Sequence, residues 1–139
     1  MKTPLQESPY GLIQEKYRSD SYKLFVCCMC LNLTNIKQVR PVVEELFKKY
    51  PDAAAMAKAD QAELVEIVRT LGFYNRRSAG LIKMAKAFIS GWSRADELPG
   101  IGKYAADSHR MFVEGMLDVE PQDKELKKYK KWAETLDGN

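Results

Sequence analysis

Apolar positions recur at helical spacing over nearly the whole chain. Between residues 36 and 50 they fall on Ile36, Val39, Val42, Val43, Leu46, Phe47 and Tyr50, a single stripe at helical period. Asn35 stands where a cap belongs, and Pro41 inside the stripe is expected to kink the helix. Pro51-Asp52 opens a short Ala-rich helix. Asp60 caps the next one, which carries Leu64, Ile67, Val68 and Leu71 on one face and stops at Gly72. A further helix is expected to bury Leu81, Met84, Ala85, Phe88, Ile89 and Trp92. The stretch 22–31 is apolar on all sides, so it reads as a central, fully buried helix. No segment alternates as a strand does, and no repeat or linker interrupts the pattern. The fold class predicted is all-α, with about eight to ten short helices.

Composition narrows this further. The 139 residues suit one domain, or two small lobes sharing a core, and are enough to fold without disulfides or metal staples. Hydrophobic residues at 45% and charged residues at 29% exclude a disordered or fibrous chain. The longest apolar run, Leu24 to Leu31, is far too short to span a bilayer, so no membrane partner is expected. Met1-Lys2-Thr3-Pro4 lacks the apolar core of a secretion signal. A single histidine rules out a multi-histidine zinc site, and no other metal site is indicated. Cys27, Cys28 and Cys30 crowd into one apolar stretch, where they cannot form a disulfide framework and lack the fourth thiolate of an iron–sulfur cluster. They read as small core residues in a reducing compartment, which implies an intracellular protein. With 22 basic residues against 19 acidic ones, the net charge of +3 says little about partners.

The most informative string is Leu98-Pro99-Gly100-Ile101-Gly102-Lys103-Tyr104-Ala105-Ala106-Asp107. Two glycines around one aliphatic residue, after a proline and before a helical run, make a tight hairpin between helices. If Gly100 and Gly102 both take positive φ, successive backbone N–H groups point outward together. The helix that starts there adds its N-terminal partial charge, and Lys103 can approach a phosphate. Leu98 and Ile101 would pin the hairpin to the core. Such a helix-hairpin-helix element grips a DNA backbone phosphate without reading sequence. A glycine turn between helices with no ligand is the alternative.

The same string resembles the hairpin of the helix-hairpin-helix DNA glycosylases, the superfamily of endonuclease III. A closer resemblance covers nearly the whole chain. Leu12 to Lys16, Tyr22-Lys23-Leu24, Leu31-Asn32, Thr34, Leu71 to Tyr74, Gly100 to Tyr104, Asp107-Ser108 and Pro121 to Tyr129 are similar to the catalytic domain of the methyl-CpG-binding-domain-type thymine DNA glycosylase. That family removes thymine or uracil mispaired with guanine. The resemblance implies a two-lobed helical fold with the active site between the lobes. One catalytic domain would occupy residues 1–139. Its helical lobe would span 34–115 and carry the hairpin 98–104, while 1–33 and 116–139 would form the terminal lobe.

It also implies roles. Asp123 matches the family's catalytic aspartate, 19 residues after Tyr104; by residue type alone, it would cap the last helix. Asp107 is the rival carboxylate, with a structural role expected. Tyr104 falls where bifunctional members carry a Schiff-base lysine, so a monofunctional enzyme that leaves an abasic site is implied. By the same resemblance Tyr104 and Gln14 line the base pocket, although an ordinary helix aromatic and a solvated amide are the plain alternatives. Phe73 falls at the family's apolar wedge, or is core packing after a helix end. Leu33 replaces an arginine that contacts DNA in the family, which weakens the case for strict guanine recognition. His109 is expected to pack or face phosphate, and the lysines of 124–131 to form a solvated face. No cofactor is expected, apart from a monovalent cation that a hairpin carbonyl cage can hold. The expected partner is double-stranded DNA with a mismatched or deaminated pyrimidine, bound by a monomer, in the nucleus by resemblance. A non-catalytic helix-hairpin-helix DNA-binding module is the competing reading.

Overall fold

A computed structural model describes residues 1–136 of the chain. Among them are eight α-helices: α1 (Ile13–Lys16), α2 (Ser21–Leu31), α3 (Ile36–Lys49), α4 (Ala53–Ala57), α5 (Gln61–Val68), α6 (Tyr74–Ser90), α7 (Lys103–Ser108) and α8 (Lys124–Leu136). The all-α expectation holds. The only extended pairing among the described residues is an isolated bridge between Lys2 and Met116, which brings the start of the chain against the segment before α8.

Caps sit where short polar side chains precede apolar runs. Asn35, Asp52 and Asp60 accept from the backbone N–H groups of Gln38, Ala55 and Ala62, so α3, α4 and α5 each start with a satisfied donor. The helix α3 continues unbroken through Pro41, where the sequence leads one to expect a kink. Pro41 follows the first turn closely, and the packed stripe of Val39, Val42, Val43, Leu46 and Phe47 holds the helix together across it. After α5 the chain tightens into a 3₁₀ turn, Arg69–Leu71, and leaves it at Gly72, whose φ of +76° suits glycine.

The centre of the fold is α2. Leu24, Phe25, Val26 and Cys27 are wholly buried, with Cys28 and Cys30 nearly so. Packed around α2 are α3, α6, α7 and the turn after α7, with α1 at its start. Burial pushes the Cys28 and Cys30 thiols up to about 12, so they remain neutral, apolar filling. On α6, Leu81, Met84 and Ala85 are buried as expected. Ile89, however, faces solvent, because α6 ends one residue later and its last turn projects past the core. Trp92 lies beyond the helix and packs edge-on against Phe25 at 5.5 Å.

The hairpin comes next. Leu98 and Ile101 are buried and pin it, and Ile101 N donates to Leu98 O across the turn. Gly100 has φ +83°, and a β-carbon there would meet the Met29 methyl at 2.8 Å. Gly102 departs from the expectation of positive φ: at φ −94°, ψ −162° it is extended and caps α7 by position. Nothing lies within 4 Å of where its β-carbon would be. One glycine is therefore favoured by its conformation, with the flexible Met29 methyl close by; the other leaves an open face.

Immediately after α7 the chain widens into a π-helical turn, His109–Val113, and this turn places His109 in the core. Its ring stacks on Phe25 at 4.9 Å, meets Trp92 at 5.4 Å, shares a 2.9 Å hydrogen bond with Ser21 Oγ, and lies 3.4 Å from Glu114. The packing role expected for His109 is the one found. Burial pulls its pKa below 6.5, with Glu114 opposing.

Two expectations follow. Gly100→Ala should lower the unfolding free energy by about 1–2 kcal/mol in urea titrations, while Gly102→Ala should stay within about 0.5 kcal/mol. For His109, the folded pKa is below the unfolded one, so the unfolded chain binds the extra proton. Stability attributable to it is therefore complete above pH 6.5 and declines as pH falls below that value. Unfolding midpoints of the wild type and His109→Gln, compared between pH 7.5 and 5, should show the steeper fall in the wild type.

Candidate active site

A cleft of about 1100 Å³ runs between the start of the chain, the end of α2, the start of α6, the hairpin and the segment before α8. Residues from five separate stretches meet in it: Gln14, Leu33, Phe73, the hairpin residues Gly100, Gly102, Lys103 and Tyr104, and Asp123. Of the hairpin residues singled out by sequence, Leu98 and Ile101 stay outside it, with their side chains in the core.

The inner wall is polar and internally bonded. Gln14 is placed by α1, and α1 is held by Glu15, whose carboxylate accepts from Ser8 N, Ser8 Oγ and Leu12 N at 2.7–2.9 Å. The Gln14 side chain is buried at 2% exposure, which excludes a solvated helix residue. Its Nε2 donates to Tyr104 Oη at 2.7 Å and to Ser108 Oγ at 3.2 Å. Ser108 is fully buried, and its hydroxyl opposes the rise that burial imposes on the Cys28 thiol. With both N–H bonds of Gln14 engaged, the atom it can offer a ligand is the acceptor Oε1. Tyr104 is half-buried, and burial drives its phenol well above 10.0, with Cys28 and Asp123 adding to the rise. It stays a neutral phenol with a proton to donate.

Asp123 does cap α8: Oδ2 accepts from Leu126 N at 3.0 Å, and the main-chain carbonyl accepts from Lys127 N at 3.0 Å. The cap turns the carboxylate toward the cleft, so capping and lining occur together. Lys103 Nζ donates to Asp107 Oδ2 at 2.8 Å one helical turn on. Asp107, buried at 8%, thus has the structural role expected of it.

The rim is different in kind. Leu33 and Phe73 are among the most exposed large apolar residues of the protein, at 78% and 62%. Phe73 is therefore not core packing. Both have left-handed backbone, φ 63° and 46°, the only non-glycine residues among those described that do. Arg76 and Arg77 line the same edge. Sequence reasoning passed over Arg77, Ser108 and Cys28 at this site. The Ser108 signal was its place in the Asp107-Ser108 match, whereas nothing local marks Arg77. Among the described residues, no group of three or more His, Cys, Asp or Glu is placed to hold a metal.

Comparison with known proteins shows the family and the fold. Residues 26–136 match the HhH-GPD superfamily, described as base excision DNA repair proteins. A methyl-CpG-binding domain protein 4-like protein of Arabidopsis thaliana is 32% identical over 124 residues, 88% of this chain and 28% of that protein. A thymine-DNA glycosylase of Aeropyrum pernix is 32% identical over 96 residues, 63% of this chain and 43% of that protein. The chain thus spans less than half the length of either relative. A non-covalent endonuclease III–DNA complex superposes with a TM-score of 0.70 at 16% identity, covering 93% of this chain and 69% of that one, a likeness of fold. With the family match running from within α2 to the end of α8, the chain belongs to the HhH-GPD superfamily of base excision DNA repair proteins.

Proposed function

We propose that this protein is a monofunctional DNA glycosylase that flips thymine or uracil mispaired with guanine out of a duplex and hydrolyses its N-glycosidic bond. The observation that carries the reading is the convergence of Gln14, Tyr104 and Asp123 in one cleft, behind a rim of two exposed apolar side chains. The name of the Aeropyrum pernix relative, a thymine-DNA glycosylase, supports the same reading.

The chemistry follows from the wall. Departure of the base leaves the sugar with oxocarbenium character, and a carboxylate beside the anomeric carbon stabilises it and orients the attacking water. Asp123 has that role, its direction set by the α8 cap. Gln14 Oε1 suits the N3–H of thymine or uracil and disfavours cytosine, whose N3 is an acceptor. The Tyr104 phenol donates to a pyrimidine carbonyl and offers no amine for a Schiff base, so the product is an abasic site. Phe73 fills the gap left by the extruded base. At the hairpin, the open face of Gly102 lets a phosphate approach the α7 backbone, with Lys103 alongside. Leu33 has no donor for the opposite base, so discrimination for guanine should be relaxed. Monomeric action, a nuclear location, a monovalent cation at the hairpin and the division into lobes at 34 and 116 belong to the same reading.

The test uses duplexes holding one G·T, G·U, A·U or normal pair, with half of each sample treated with alkali. Strand breaks should appear only after alkali, and only with the mispaired or uracil substrates. Asp123→Asn keeps the cap and should slow release by about 10²-fold or more, the scale of losing one transition-state electrostatic contact. Full release by Asp123→Asn would remove that residue from catalysis, and breaks without alkali would defeat the monofunctional assignment. Salt-sensitive binding with no release from any duplex would leave the DNA-binding module.

A further inference from the structure

Leu33 and Phe73 present a physical puzzle. Each combines a left-handed backbone, unfavourable for a residue with a β-carbon, with a large apolar side chain that gains nothing from burial. Forty residues separate them, one in the turn after α2 and the other just before α6. Strain of this kind persists only where surrounding contacts impose it.

Both turns are bonded to Arg77, on the first turn of α6. Its Nε donates to Gly72 O at 2.9 Å. One terminal nitrogen donates to Met29 O at 3.3 Å, and the other to Asn32 O at 2.8 Å and Leu71 O at 3.4 Å. Arg77 N also donates to Phe73 O at 2.8 Å, and the guanidinium carbon lies 6.0 Å from the Phe73 ring centroid. All four guanidinium acceptors are main-chain carbonyls at the C-terminal ends of α2 and of the Arg69–Leu71 turn, where intrahelical partners run out and the helix dipole is negative. A single planar cation thus ties two distant turns together. An ammonium, with three donors around one atom, cannot reach the same set.

We infer that Arg77 is a positioning residue for DNA entry: it locks the turns bearing Leu33 and Phe73 into one rigid tip, so that both side chains meet the duplex in a single orientation. Its effect on excision rests on the glycosylase reading above. Its coupling of the two turns does not. Arg77 needs no contact with the base or the reacting sugar, because it acts through the two side chains it holds.

The experiment compares Arg77→Ala and Arg77→Lys in the wild-type background and in a Leu33→Ala/Phe73→Ala background. Hydrogen exchange of the amides at 32–34 and 72–74 should speed up together in Arg77→Ala, and less in Arg77→Lys, while 24–28 inside α2 stays protected. Single-turnover uracil release from a G·U duplex should slow by about tenfold or more in the wild-type background. In the double-alanine background the same change should cost no more than about twofold, since no tip remains to be set. Fluorescence of a 2-aminopurine beside the mismatch should rise less on binding Arg77→Ala than on binding the wild type. Equal losses in both backgrounds, unchanged exchange in either turn, or exchange that rises equally within α2 would overturn the inference. If the wild type releases no base, the glycosylase reading fails, and exchange and 2-aminopurine opening still decide the role of Arg77.

Discussion

Burial of α2 is the constraint on which the other elements depend. Four consecutive residues, Leu24 to Cys27, are completely excluded from solvent, so the helix needs neighbours on every side. Each fully buried large apolar side chain contributes about 1.5–3 kcal/mol, and a few of them match the whole net stability of a domain this size. The neighbours they recruit are also the carriers of the cleft. Gln14 arrives on α1 and Tyr104 on α7, while Leu33 hangs from the end of α2 itself. Met29, on the same helix, sets its methyl against Gly100, whose positive φ is what favours glycine there. A core demand and a site geometry are thus met by the same contacts.

The cleft divides into two regimes of polarity. Its inner wall consists of buried polar groups satisfied by one another, from Gln14 to Tyr104 and to Ser108, beside the Cys28 sulfur. In such a low-dielectric setting an unpaired amide or hydroxyl is costly, so the network is locked into one arrangement, with Gln14 presenting an acceptor and Tyr104 a donor. The rim reverses this: Leu33 and Phe73 are apolar, exposed and conformationally strained. Satisfied polarity inside is what folding requires, whereas an exposed and strained apolar rim is not, and the proposed contact with DNA would give that rim its reason.

Much of the framework was legible in the chain itself. The helical stripes, the caps at Asn35 and Asp60, the helix opening at Asp52 and the burial of 24–28 rest on local periodicity and on the hydrogen-bonding of short polar side chains, both properties of neighbouring residues. Met29 and Leu31, by contrast, are only partly buried. The hairpin glycines were legible only in part. A Gly-X-Gly pattern shows that freedom is available but not which glycine uses it, and only the folded hairpin gives Gly100 the positive φ and leaves Gly102 extended. Ile89 failed for a related reason: the stripe continues to the end of α6 although the core beneath it does not.

The chain's own pattern specifies an all-α fold and a hairpin of the helix-hairpin-helix kind, while the candidate residues for glycosidic hydrolysis come from the resemblance to the glycosylases. Only the tertiary structure decided that Gln14, Tyr104 and Asp123, more than a hundred residues apart at their extremes, face one cleft. It also decided that Asp123 both caps and lines, that Lys103 pairs with Asp107, and that Arg77 joins two turns. The physical reason is range. Periodicity and capping act over one helical turn and can be read from adjacent letters, whereas a hydrogen bond from Gln14 to Tyr104 spans ninety positions and exists only once the packing around α2 has brought them together.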